Sequence, residues 1–127
     1  MARIDKYEPL SGGHRAALAA DWLDANIEEP IGVGLDGNGR VVVGAGNTGI
    51  IGVVVLTKKR YAGDVVDVMQ DGELVECAGL TTGTVYYADS ATGVLDDTAP
   101  AAGTNAVKVG HTVEATRLVV RLQQVQG

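Results

Sequence analysis

From Ile31 onward the chain alternates between short apolar runs and clusters of Gly, Asp, Asn and Ser. IGVGL at 31–35 is followed by DGNG at 36–39 and then by RVVV at 40–43, a strand, hairpin turn and strand in succession. TGIIGVVVLT at 48–57 predicts a further strand. GDVVDVMQDGELVECAG at 63–79 places Asp71-Gly72 between two apolar runs, which predicts a hairpin. TGTVYYADSATGVL at 82–95 repeats the pattern, with Ser90 to Gly93 as the turn. DDTAPAAGTN reads as a loop, and two more strands close the chain. In the last of these Leu118, Val120 and Leu122 share one face, with Arg117, Val119 and Arg121 on the other. Short strands separated by turn residues at this spacing predict a mainly β fold, a small barrel or sandwich.

The first thirty residues follow a different pattern. MARIDKYEPLSGG has neither a period of 2 nor one of 3.6 and reads as an extended arm. HRAALAADWLDAN at 14–26 is alanine-rich, and Leu18 and Trp22 lie four apart, so a short helix is expected there, stopped by Pro30. The expected organisation is an arm with a short helix over 1–30 and a β domain over 31–127.

Composition sharpens this picture. The chain has 127 residues, enough for one domain with its own core. It has 18 glycines, no phenylalanine and one tryptophan, so a valine-dominated core must be thin, as between close sheets or inside a small barrel. A net charge of −6 opposes wrapping by nucleic acid, whose phosphates need a positive field. Lys58-Lys59-Arg60 is the only basic cluster and reads as a solvated loop. The single Cys77 has no partner for an internal disulfide and no C-x-x-C companion. The N-terminus lacks a hydrophobic signal core and no 18-residue apolar run occurs, so synthesis in a cytoplasm and no membrane partner are expected.

One stretch imitates cofactor chemistry. Gly44, Gly46 and Gly49 in GAGNTG have the G-x-G-x-x-G spacing of dinucleotide-binding proteins and directly follow three valines. That fingerprint depends on a helix whose N-terminal amides hold the pyrophosphate. The residues after Gly49 are Ile50, Ile51, Gly52, Val53, Val54 and Val55, which favour a strand and leave no room for a crossover helix. The glycines are therefore expected in a loop or bulge joining antiparallel strands, and a nucleotide-dependent oxidoreductase is the disfavoured alternative. Asp36 to Arg40 resembles the start of a calcium loop, but Arg40 stands where an oxygen ligand is needed and no glutamate closes the loop. His14 and His111 have no second ligand at metal spacing, and His111 is expected in a turn after Gly110. The pairs Glu28-Glu29 and Asp96-Asp97, and Ser11 and Ser90, form no acid–base or nucleophile pattern. No catalytic, cofactor-binding or metal-binding set is expected.

What remains is the arm. Arg3, Ile4, Tyr7, Pro9 and Leu10 supply a charge and apolar anchors with no internal means of burial, the pattern of a segment that folds onto a neighbouring chain. Trp22 is either a further anchor in that contact or the residue that pins the segment to its own domain.

The layout resembles the capsid decoration, or head-stabilising, proteins of tailed bacteriophages, including those of actinobacterial phages. The resemblance lies in the arm RIDKYEPLSGGHRAALAADW followed by the Val/Gly-rich segments AGDVVDVMQDGELVECAG, TGTVYYADSATGVL and VGHTVEATRLVVRL. It implies a tulip-like β-barrel without enzymatic activity or cofactor. It also implies a homotrimer on the capsid exterior of the virion, with its arm pinning neighbouring subunits of the major capsid protein. Other phage β proteins, such as tail-tube or head–tail connector subunits, are the alternative. A carbohydrate or cell-surface adhesion module is a further one, with Tyr86 or Tyr87 as the aromatic platform.

Overall fold

The structure, a computed structural model, describes residues 14–70, 72, 74–77, 80–97, 107–114 and 116–124. Ten strands occur in it: β1 (His14–Ala17), β2 (Ile31–Leu35), β3 (Val41–Val43), β4 (Gly52–Val54), β5 (Val65–Val68), β6 (Leu74–Glu76), β7 (Val85–Ala88), β8 (Leu95–Asp96), β9 (Val107–Glu114) and β10 (Arg117–Gln124). The protein is mainly β, as the alternation of apolar runs and turn residues predicts.

Two bodies share the strands. In the first, β2 lies between β3 and β4 and is antiparallel to both, while β1 pairs antiparallel with β5. Two short bridges join these pieces. Leu18, just beyond β1, bridges Val41 of β3, and Met69, just beyond β5, bridges Val53 of β4. The order β3–β2–β4–β5–β1 thereby returns to β3, closing a small barrel and covering its own edges. Leu18, Trp22, Ile31, Val33, Val41, Val54, Val66 and Val68 fill the interior. The second body is a five-stranded antiparallel sheet in the order β6–β10–β9–β7–β8.

The sheet packs on the outside of the barrel. Period-two alternation along β4 sends Val54 into the barrel and Val53 into the second core, with Val75, Tyr86, Ala88, Val109, Leu118 and Val120. On β2 the face opposite Ile31 and Val33 carries Gly32, and a Cβ at Gly32 would lie 2.9 Å from the Ala88 Cβ. This glycine lets the two layers approach closely, which a valine-rich core without phenylalanine requires. On β10, Leu118 and Val120 are fully buried while Arg117 and Arg121 are exposed, the alternation expected from the sequence.

Three expectations need correction. The short helix predicted over 14–26 does not form: His14–Ala17 is a strand, and only Asp24–Asn26 makes a 3-10 turn. The alanines have high helix propensity, but the partly buried Ala16 and the buried Leu18 pack in the barrel core, while Arg15 is exposed and pairs with Asp67 at 2.9 Å. Tertiary pairing overrides a local preference worth at most a fraction of a kcal/mol, roughly, per residue. Residues 14–30 accordingly belong to the barrel rather than to a separate arm. The runs flanking Asp71-Gly72 do not pair with each other either, because β5 pairs with β1 and β6 with β10. Finally, His111 lies within β9, opposite Val85 and Val119, rather than in a turn. The hairpins predicted at DGNG and at Ser90 to Gly93 do form, between β2 and β3 and between β7 and β8.

Candidate interaction surfaces

The GAGNTG segment is a crossover. It leaves β3 on one side of β2 and enters β4 on the other, so the strands that it joins are parallel and separated by β2, not antiparallel neighbours as expected. Three of its six amides donate within the protein, as does that of Ile51 beyond it. Gly44 donates to the Gly32 carbonyl at 2.9 Å, Ala45 to Ser90 at 2.8 Å, Asn47 to Leu35 at 2.8 Å and Ile51 to Val33 at 2.8 Å. The Thr48 hydroxyl accepts from the Leu35 amide at 3.0 Å. Gly44 has φ +80° and lies so close to the turn after β7 that a Cβ there would sit 2.6 Å from the carbonyl oxygens of Ser90 and Ala91. Gly44 and Gly46 thus serve backbone approach and Gly49 a positive φ, and the segment leads into a strand rather than a helix N-terminus.

The basic cluster is only partly a solvated loop. Lys58 is exposed, but Lys59 Nζ donates to the Trp22 carbonyl at 2.6 Å and pairs with Asp24 at 3.2 Å. Arg60 is half-buried, and its Nε is buried without a hydrogen-bond partner. Trp22 itself is 2% exposed; its indole N–H donates to the Asn26 carbonyl at 3.2 Å and its amide to the Arg60 carbonyl at 2.9 Å. Of its two expected roles the structure supports the pin: as a contact for a partner it has almost no surface to offer. Arg3, Ile4, Tyr7, Pro9 and Leu10 lie outside the described residues.

The remaining polar residues stabilise turns. Asp36 Oδ1 accepts from the amides of Asn38 at 2.8 Å and Arg40 at 2.9 Å. These backbone bonds, that from Arg40 foremost, hold its pKa below the ordinary value. Asp89 Oδ1 accepts from Ala91 at 2.7 Å and Thr92 at 3.0 Å, and its pKa is lowered in the same way, chiefly by the Thr92 bond. Burial, and then the charge of Glu29, raise the pKa of the Cys77 thiol and keep it protonated. Among the described residues no three His, Cys, Asp or Glu side chains gather closely enough to hold a metal ion. Tyr86 is buried and Tyr87 half-buried. No described helix is long and apolar enough to cross a membrane.

A solved structure from Mycobacterium phage Patience has the same fold. It superposes with a TM-score of 0.67 at 20% sequence identity, over 98% of this chain and 97% of that one. The sequence matches no protein-family profile and no curated protein. At this identity the likeness is one of fold, and it extends over nearly the whole of both chains.

Among the grooves formed by the described residues, two border the barrel at an exposed leucine. One, of about 260 Å³, is almost entirely apolar and lies between Trp22, Leu23 and the valines of β3, with Leu23 58% exposed at its rim. The other, of about 550 Å³, runs between the barrel and β6 at the edge of the large sheet. Sequence reasoning missed both grooves. The local hints were exposed apolar residues, Leu23 in one and Val65 and Leu74 in the other, and isolated exposed apolar residues are common on protein surfaces.

Proposed function

We propose that the protein is a structural component of a phage particle that binds the outside of the capsid and cements neighbouring subunits of the major capsid protein. The observation that carries this reading is the fold shared almost end to end with a mycobacteriophage protein. The likeness of the arm and the Val/Gly-rich segments to capsid decoration proteins narrows it to the shell. In this reading the protein has no catalytic activity or cofactor, assembles as a homotrimer, and acts through contact alone. A barrel closed on itself suits that task, since it presents few open strand edges to wrong partners. Many weakly bound copies on one shell together resist its expansion far better than one copy alone. The charge of −6 suits binding to protein rather than to the enclosed nucleic acid.

The test is co-sedimentation of the purified chain with phage heads that lack it. Saturable binding at a fixed ratio to the major capsid protein is expected. Deleting residues 1–12, which end before β1, is expected to abolish binding while the circular dichroism of the β domain is retained. Absence of the intact chain from sedimented heads at every concentration would refute the reading.

A further inference from the structure

The larger groove combines three features that point to one kind of occupant. Its walls are mixed: Leu56, Val65 and Met69 on the barrel side and Leu74 and Val75 on the sheet side are apolar, while Arg15, Arg60, Asp67 and Glu76 are charged. Val65 and Leu74 are about half exposed at its rim, although both belong to strands. One wall is β6, which among the described residues pairs with β10 alone and so has an open edge. An open edge is a template for an added extended segment. Arg60 also lines the groove, and its buried Nε has no acceptor. A buried N–H without an acceptor is costly to maintain, and an incoming carbonyl or carboxylate would supply one.

We propose that this groove receives the N-terminal arm of a second copy of the chain. The arm has the matching chemistry: Ile4, Tyr7, Pro9 and Leu10 for the apolar walls, and Asp5 and Glu8 for Arg60. It also has the reach. Thirteen residues precede His14, and extended they span roughly 43 to 47 Å. A domain of 127 residues has a radius of gyration of about 14 Å, hence a diameter near 36 Å. An arm can therefore cross to the corresponding groove of an adjoining copy.

The chain's own arm fits its own groove less well. Arg15, one residue past the start of β1, already lines the groove, and the residues that precede β1 in sequence are Ser11, Gly12 and Gly13. None of these has an apolar side chain to place there. The first anchor, Leu10, lies four residues before His14, roughly 13 Å further out. Arm-to-groove contacts of this head-to-tail kind close into a ring of copies when the rotation between neighbours closes. The proposal identifies which surface receives the arm, and it holds whether or not the ring sits on a shell.

The experiment is sedimentation velocity of the full-length chain alone over a concentration series. The wild type is expected to form a discrete oligomer that dissociates on dilution. Arg60→Glu is expected to weaken it by at least about tenfold, as loss of a partly desolvated charge pair does. Leu74→Asp, at an exposed position that leaves folding intact, is expected to weaken it similarly. Adding Asp5→Lys and Glu8→Lys to Arg60→Glu is expected to restore assembly by reversing both charges. A chain monomeric at every concentration would overturn the proposal, as would an oligomer indifferent to Arg60→Glu and Leu74→Asp. Hydrogen exchange that protects residues 1–13 in the monomer would overturn it too, by showing the arm in its own groove. None of these outcomes depends on phage heads, so failure here is separable from failure of the capsid reading.

Discussion

Replacing Gly44 and Gly49 by alanine, one at a time, separates a crossover from a cofactor loop. Both have positive φ, +80° and +82°, so each alanine meets the same left-handed strain of about 1–2 kcal/mol. Their surroundings differ. A Cβ at Gly49 meets nothing within 4 Å, whereas one at Gly44 falls 2.6 Å from the Ser90 and Ala91 carbonyl oxygens. Those are backbone atoms of a turn held by the Asp89 carboxylate and cannot swing aside as a side chain would. Overpacking of that kind adds about 1–3 kcal/mol, which brings Gly44→Ala to roughly 2–5 kcal/mol. The entropy of unfolding expected for 127 residues converts each kcal/mol to about 4 °C of Tm. Gly49→Ala should then lower Tm by about 4–8 °C and Gly44→Ala by about 8–20 °C. Differential scanning calorimetry of the two variants decides the matter. Equal losses, or a larger loss at Gly49, would mean that the close approach of the crossover to the β7–β8 turn is wrong.

Other expectations follow from the same contacts. Trp22→Ala should destabilise the fold by about 3–5 kcal/mol in urea unfolding, because it empties part of the barrel interior. Refolded Trp22→Ala protein should still bind heads at saturation; loss of binding without loss of stability would restore Trp22 as a partner contact. Asp89 has a lowered pKa in the fold, so its contribution is complete above the ordinary aspartate range, near pH 4, and is lost as pH falls through the depressed value. Asp89→Ala should therefore be less stable than wild type at pH 7 and should lose less of its remaining stability below pH 4. Parallel Tm-against-pH curves for the two proteins would contradict that assignment.

The strands that were legible in the sequence are those whose signal is local. β2 coincides with IGVGL, and the valines at 41–43 and 53–54 mark β3 and β4, because β-branched side chains suit both faces of a doubly covered strand. The alternation at 117–122 marks β10 for the same reason. His14–Ala17 was illegible because its signal is divided. Its alanines favour a helix, and the competing period of two, Ala16 then Leu18, is only two residues long. What decides in favour of a strand is β5, which lies some fifty residues away in sequence. The Asp71-Gly72 pair misled in the opposite way: the strands on its two sides belong to different sheets, β5 to the barrel and β6 to the five-stranded sheet. Of the expected contact residues only Trp22 lies among the described residues, and it is buried in the barrel core. The larger groove needed Leu56, Val65 and Leu74 to meet from three separate segments, and an unpartnered Arg60 Nε has no sequence signature at all.

The pairing of β1 with β5 bears on how the protein would carry load. The first thirteen residues are continuous with β1, which lies antiparallel to β5 over His14–Val68 to Ala17–Val65. Tension drawn along the axis of β1 would stress that ladder in shear, with all its hydrogen bonds sharing the force at once. The bridge from Leu18 to Val41 and the hydrogen bond from Lys59 to the Trp22 carbonyl stand behind the ladder as a second restraint. A helix at this place would instead unwind turn by turn under the same pull. The strand that replaces the expected helix therefore gives the start of the described chain an anchor that resists a pull along its own axis.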